Sequence, residues 1–461
     1  MRGQAGWSYS PYRPFLRNVG DIYICRVVPY KDSIHLEWLG SDTKDCEYKI
    51  YVSPRGADNF VLAGTTCSAD FDITGLKDGE EYEFFVVGED GGSRVRIARC
   101  GESVGTVVNY LHPDDEAYSF SGRYLCSPSL LRLPCGTLLA SMDVYASGAP
   151  QNLTLIFRSE DNGRTWHYSC ELMPCFWGKM FYRDGKVYML ACSTEYGDLL
   201  IGHSEDGGKS FSSPTVLLRG LGGKDGSVGV HKNPQNIFIH NRRIYETLEW
   251  GSWKNKDYYH AAMVMSCNED DDLLSPESWH FTPPLKYDRT WEGTASDGEK
   301  GCIEGTLCTD RGGRLLNLMR YQTDEKKILA FSVNEDDPDA MLSFSHAIDF
   351  PANLSKFMIK YDDVSDKYYS VANRRIDSPK TRRNLLSLLS SSDLISWETV
   401  CDLIDRRDED ESKIGFQYVD FEIEGDDIIF LCRTAINGAH SFHDSNYSTF
   451  HTVKGFRNIK K

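Results

Sequence analysis

The chain has 461 residues, more than one ordinary core organises, so two domains are expected. Aromatic residues make up 12%, with 39 glycines and 25 tyrosines, a balance that suits a turn-rich all-β protein whose clefts can stack on sugar rings. The formal net charge of −17 argues against nucleic acid as a partner, but leaves room for a small anion held by a few local arginines.

The 14 cysteines form no Cys-x-x-Cys pair, and many stand in apolar strand contexts such as Ile24-Cys25-Arg26 and Phe430-Leu431-Cys432. Buried thiols in a reducing compartment are expected, with no metal site and no cofactor. The opening stretch Met1-Arg2-Gly3-Gln4-Ala5-Gly6-Trp7 lacks the apolar core of a signal peptide, and no run approaches a membrane span. The expectation is a cytoplasmic bacterial protein with no membrane partner; a secreted mature form with its leader removed reads the same.

Residues 1–19 carry Trp7, Tyr9, Tyr12 and Phe15 without a period, which predicts an extended arm. From 20 to 106 the strands alternate cleanly: Ile34-His35-Leu36-Glu37-Trp38, Glu47-Tyr48-Lys49-Ile50-Tyr51-Val52, Phe71-Asp72-Ile73, and Glu81-Tyr82-Glu83-Phe84-Phe85-Val86-Val87. In its order of elements this segment resembles a fibronectin type III module. The resemblance makes Trp38 the core tryptophan, puts Leu76 and Tyr82 at the corner before a later strand, and implies a spacer or docking role without chemistry.

Further along, Ser159-Glu160-Asp161-Asn162-Gly163-Arg164-Thr165-Trp166 returns as Ser204-Glu205-Asp206-Gly207-Gly208-Lys209-Ser210-Phe211, each copy following an apolar strand-like run. An Asp at such a tip accepts backbone hydrogen bonds, Gly takes positive φ, and the final ring plugs the next layer. Weaker copies follow at Ser266, Ser332 and Ser391, the last keeping Asp393 and Trp397, so five turns recur at 45 to 66 residues. That is the pattern of radial repetition. The turns resemble the Asp-boxes of the sialidase superfamily, and Arg123-Tyr124-Leu125-Cys126-Ser127-Pro128 through Gly136-Thr137-Leu138-Leu139-Ala140 resembles the opening strand pair of its propeller. The expected fold class is therefore all-β: a fibronectin type III β-sandwich at 20–106, then a six-bladed β-propeller at 107–461.

In a propeller, residues at the ends of the innermost strands converge on one axial pocket. Glu304, in Cys302-Ile303-Glu304-Gly305, is followed sixteen residues later by Arg320; Arg383, with Arg382 as the alternative, stands ahead of the turn at Ser391; Tyr418 lies in Phe416-Gln417-Tyr418-Val419. This order of Glu, Arg, Arg, Tyr is similar to that of sialidases. The resemblance implies that Arg320 and Arg383 hold a sugar carboxylate, that Tyr418 is the nucleophile and that Glu304 takes its proton. Asp143, after the first hairpin, is the chosen general acid, its pKa needing to rise by burial. Two positions depart from the pattern: Cys126 stands where the family has its first arginine, and Pro150-Gln151-Asn152 offers no Asp where the family has its acid. Arg123 is the nearest replacement for the missing guanidinium.

Lys179 in Trp177-Gly178-Lys179, His231 in His231-Lys232-Asn233, Glu249 in Tyr245-Glu246-Thr247-Leu248-Glu249, and Arg433 are further candidates for the substrate-binding wall; Ser193-Thr194-Glu195-Tyr196-Gly197-Asp198 is another polar cluster unusual for a plain strand. The function expected from the resemblance is an exo-glycosidase releasing a terminal acidic, sialic-acid-like sugar from a glycan. A different ulosonic, uronic or neutral sugar, a carbohydrate-binding propeller without turnover, and a polysaccharide lyase are the alternatives.

Overall fold

The computed structural model describes residues 22–40, 47–89, 91–222, 225–376 and 383–459; the predicted arm at 1–19 and Arg382 lie outside them. Among the described residues the chain is built from strands, with two short 3₁₀ turns at Pro276–Ser278 and Phe456–Asn458. The N-terminal alternation produces two facing sheets. One orders Tyr23–Pro29, Ser33–Leu39 and Asp70–Thr74; the other orders Val61–Thr66, Tyr48–Pro54 and Glu81–Gly88, with Gly91–Gly92 and Arg96–Arg99 also on Glu81–Gly88. Trp38 is buried between them with Tyr48 edge-on at 5.3 Å, and Tyr82 Oη accepts the Lys77 N–H at 3.0 Å.

The remaining described residues form six antiparallel sheets. The first runs Tyr124–Arg132, Leu138–Tyr145, Leu153–Ser159, His167–Leu172, and the next four follow the same up-and-down order, the third with its first strand split into Gly229–His231 and Phe238–His240, both paired to Arg243–Gly251. The sixth takes Gly415–Glu424, Asp427–Ala435 and Tyr447–Val453 from the C-terminus, and its fourth strand, Thr106–Tyr110, from before the first sheet. All five recurring turns connect a third strand to a fourth, and the sixth sheet lacks one because its fourth strand arrives from elsewhere in the chain.

The turns are held as their residues predict. Asp161 accepts Ser159 Oγ at 2.9 Å, the Arg164 and Thr165 N–H groups at 3.1 and 2.9 Å, and Thr165 Oγ1 at 2.7 Å, while Trp166 is buried at the first sheet's edge. Burial works against ionisation here, but those hydrogen bonds outweigh it and hold the carboxyl at about 2. Asp206 repeats the arrangement with Ser204, Lys209 and Ser210, and Phe211 takes the place of the tryptophan.

The inner strands of different sheets and the segments beside them meet along a common axis. Met180 N–H donates to Ser129 Oγ, Leu130 N–H to Asp420, Gly305 N–H to Glu249, and Gln235 Nε2 to the Phe357 carbonyl. Between the sandwich and the sheets that follow it lies a buried polar seam. Arg26 bonds Glu37 at 2.6 Å and the Val107 and Val108 carbonyls, Arg96 bonds Asp115 at 2.6 Å and the Ile24 carbonyl, and Tyr23 Oη donates to Glu171 at 2.7 Å.

Candidate active site

Four of the first strands break register at corresponding places: between Cys126 and Ser129, Phe176 and Lys179, Ile303 and Gly305, and Gln417 and Asp420. Each break carries a non-glycine residue in the left-handed region: Ser127 (φ 51°), Trp177 (54°), Glu304 (59°) and Tyr418 (56°). A bulge inserts one residue and re-aims its side chain. Such a conformation costs about 1 kcal/mol or more per residue, so its recurrence at four sites asks for a functional reason. The reason is visible in space, since all four residues line one axial cavity of about 560 Å³.

At one side of that cavity Tyr418 Oη donates to Glu304 Oε1 at 2.7 Å, and the other Glu304 oxygen takes Arg320 Nη1 at 2.6 Å, with Arg320 Nη1 also 3.4 Å from the phenol oxygen. Arg383 and Arg433 lie over the Tyr418 ring at 5.5 and 5.3 Å from its centroid. Arg383 donates to Gln417 Oε1 and Arg433 to the His443 carbonyl. The Nε–H groups of Arg320, Arg383 and Arg433 are all buried without a partner among the described residues. Three guanidiniums thus surround one carboxylate and one phenol.

Burial pushes the Glu304 carboxyl upward, but the Arg320 charge and the Tyr418 hydroxyl prevail, leaving it below its ordinary value and ionised at neutral pH. Tyr418 shifts the other way, raised by burial and by Glu304 against the pull of the three arginines. It is a neutral phenol whose proton already points at a carboxylate, the arrangement a tyrosine nucleophile requires.

The opposite wall is aromatic. Tyr145, Phe176, Trp177, Tyr196 and Trp253 line it together with His231. Trp177 meets the His231 ring edge-on at 4.4 Å, and His231 Nδ1 bonds Glu249, whose other oxygen accepts Gly305 N–H at 3.2 Å. Glu249 is therefore beneath the wall, orienting His231.

The other sequence candidates fall elsewhere. Asp143 does not reach the cavity wall: it is fully buried behind Ser127, taking Thr154 Oγ1 at 2.5 Å and Trp177 N–H at 2.7 Å. Burial pushes its carboxyl up to about 7 against those hydrogen bonds. Lys179 points below the cavity floor, where its Nζ is 2.5 Å from Asp420; it borders a smaller cavity of about 340 Å³ further along the first strands. Arg123 pairs with Glu116 at 2.8 Å on the surface and contributes nothing to the hub. Arg123 is close to Cys126 in sequence but stands in the connection before the first strand, and Lys179 lies just past a bulge that turns it away from the cavity, which is why both miss. Arg433 instead brings its guanidinium to the sixth-sheet side of Cys126, and its charge is felt by that thiol.

Sequence reasoning missed Ser127, Trp177, Glu195 and Trp253 on the wall, although Trp177 and Glu195 lie in stretches it marked as unusual. A signal was present: in each bulged strand a second residue two positions on, Ser129, Lys179, Thr306 or Asp420, is polar and buried within an otherwise apolar run.

No protein-family model matches the sequence, and neither does any curated protein. Solved structures are similar in fold. A Hadza microbial sialidase superposes with a TM-score of 0.53 at 12% identity, over 94% of this chain and 96% of its own. An α-L-arabinofuranosidase from Fusarium graminearum gives 0.52 at 13% identity over 77% and 99%, and a protein of unknown function from Dyadobacter fermentans 0.51 at 11% over 77% and 99%. The fold is thus a β-propeller of the kind found among glycoside hydrolases.

Proposed function

We propose that the protein is a glycoside hydrolase that removes a terminal acidic, sialic-acid-like sugar from a glycan. The observation that carries this reading is the Tyr418–Glu304 hydrogen bond of 2.7 Å inside a ring of three arginines whose Nε–H groups lack partners among the described residues. Arg320, Arg383 and Arg433 hold the sugar carboxylate through charge-assisted hydrogen bonds, with Arg433 supplying the guanidinium that Cys126 does not. Tyr418 Oη attacks the anomeric carbon as its proton passes to Glu304 and the leaving oxygen takes a proton from an acid; water then reverses the sequence. A neutral phenol suits this substrate because an anionic sugar does not repel it.

On the same reading the six sheets are six blades at 107–461, the recurring turns are Asp-boxes, and the two-sheet unit at 20–106 is a fibronectin type III module fixed to the propeller by its buried seam. The sialidase likeness in fold, over nearly the full length of both chains, supports this, as does the Trp38 and Tyr82 geometry.

The test is a screen of the purified protein against 4-methylumbelliferyl glycosides of sialic, other ulosonic, uronic and neutral sugars. Turnover of an acidic glycoside, lost in Tyr418→Phe, is the expected result. Turnover of neutral glycosides alone would remove the carboxylate clamp, and binding without any hydrolysis would make the protein a lectin.

A further inference from the structure

The proposed hydrolysis needs a proton donor for the leaving oxygen, and Asp143 lies behind the wall. Two loops bring the alternative into view. In the first sheet the connection from Leu138–Tyr145 to Leu153–Ser159 carries Gln151 to the cavity, in the left-handed region at φ 52°. This is the stretch where the sequence offers no aspartate. In the second sheet the equivalent connection, from Lys186–Cys192 to Leu199–Ser204, carries Glu195 to the same cavity, next to left-handed Tyr196 at φ 57°.

The two loops are fastened together. Thr194 Oγ1 donates to the Pro150 carbonyl, and Gln151 Nε2 lies 3.4 Å from Glu195 Oε2. From the third sheet, Trp253 Nε1–H donates to Glu195 Oε1 at 3.0 Å. Both groups bonded to the Glu195 carboxyl are neutral N–H donors. Trp253 itself is 46% exposed at the cavity mouth, its ring braced edge-on by Tyr259 at 5.4 Å and His260 at 4.4 Å. An exposed, braced indole beside a carboxyl is a platform for a sugar ring.

From this placement we infer that Glu195 is the catalytic acid and base, and that Trp253 is the platform for the leaving sugar. The inference rests on the proposed hydrolase reading. In the first step the Glu195 proton passes to the glycosidic oxygen as its bond to the anomeric carbon breaks and the Tyr418 oxygen bonds to that carbon. In the second step the Glu195 carboxylate takes a proton from water, whose oxygen displaces Tyr418, and Glu304 returns the phenol proton. Asp143 is a positioning residue, holding the Trp177 backbone and the bulge that carries it.

Leaving-group dependence tests the assignment, because an acid matters little when the aglycone departs readily as an anion. Wild type, Glu195→Gln and Asp143→Asn are compared on an activated aryl glycoside and on an oligosaccharide of the same terminal sugar, with folding checked by tryptophan fluorescence. The expected result for Glu195→Gln is a loss of about 10²-fold or more on the oligosaccharide and less than about 10-fold on the aryl glycoside. Asp143→Asn is expected to reduce both substrates equally. Equal losses in Glu195→Gln, or a leaving-group-selective loss in Asp143→Asn, would overturn the assignment while leaving the hydrolase reading intact. Absence of turnover by wild type on every glycoside would remove both.

Discussion

Two buried polar regions of this molecule handle arginine in opposite ways. At the seam between the sandwich and the sheets that follow it, Arg26 and Arg96 each have their own carboxylate at 2.6 Å and a backbone carbonyl besides. At the hub, Arg320, Arg383 and Arg433 gather round Glu304, and among the described residues two of the three hydrogen-bond only neutral groups. Charges neutralised pair by pair fix one unit against another. Charges crowded beyond their partners are a cost to folding that a bound anion relieves. The seam is thus organised for attachment and the hub for a ligand.

The largest effect expected from this contrast is catalytic. Tyr418→Phe keeps the ring under Arg383 and Arg433 but removes the hydroxyl that donates to Glu304, so kcat should fall about 10³-fold or more with KM little changed. Steady-state kinetics on the best substrate of the glycoside panel measures it. A variant retaining a tenth of the wild-type rate would exclude the phenol as nucleophile.

At the seam the corresponding change should act on stability. Asp115→Asn strands a buried Arg96, whose side chain is 5% exposed, and should cost about 3–5 kcal/mol in urea unfolding. Arg433→Met at the hub is expected to behave oppositely. Removing one of the crowded charges should leave stability unchanged or slightly improved, while KM for an acidic glycoside rises about 10- to 100-fold, the equivalent of one charge-assisted hydrogen bond. If Arg433→Met destabilised the fold as much as Asp115→Asn, the contrast between the regions would collapse.

How far the sequence reaches also differs between the regions. Strand alternation from Ile34 to Trp38 and from Glu81 to Val87 reports directly which side chains enter the sandwich core, because a regular strand has period two. Turn chemistry is just as local: Asp161 and Asp206 need only their next few neighbours to close their hydrogen bonds. The hub defeats this kind of reading. An inserted residue in a first strand reverses the alternation, so Trp177 faces the cavity and Lys179, two residues on, goes below it. Glu304, Arg320, Arg383 and Tyr418 were found through their order along the chain, not through any local period. Glu195 meets Gln151 and Trp253 from neighbouring sheets, a relation of three sequence-distant loops that no window of residues contains. The closing of the sixth sheet by Thr106–Tyr110 is likewise a pairing across more than 300 residues of chain.

The smallest expected effect concerns Asp143, which lies just behind the hub, within the field of Lys232. Its carboxyl is raised from the ordinary carboxylate value to about 7, so the folded protein binds a proton there that the unfolded chain releases near pH 4. Stability from this group is therefore complete in acid and is lost as pH rises towards 7, at about 1.4 kcal/mol per pH unit in between. Asp143→Asn keeps an oxygen to accept the Trp177 N–H and abolishes the titration. Its stability relative to wild type should accordingly increase between pH 5 and pH 8 and then level off. Other buried groups such as Glu246, also near 7, and Lys356, lowered to about 8, titrate in both proteins and cancel in the difference. Urea unfolding of the pair at pH 5 and pH 8 measures the change. A difference independent of pH would mean that Asp143 is ionised throughout the range and that the wall behind Ser127 carries a fixed negative charge, which would ally it with the arginines of the hub.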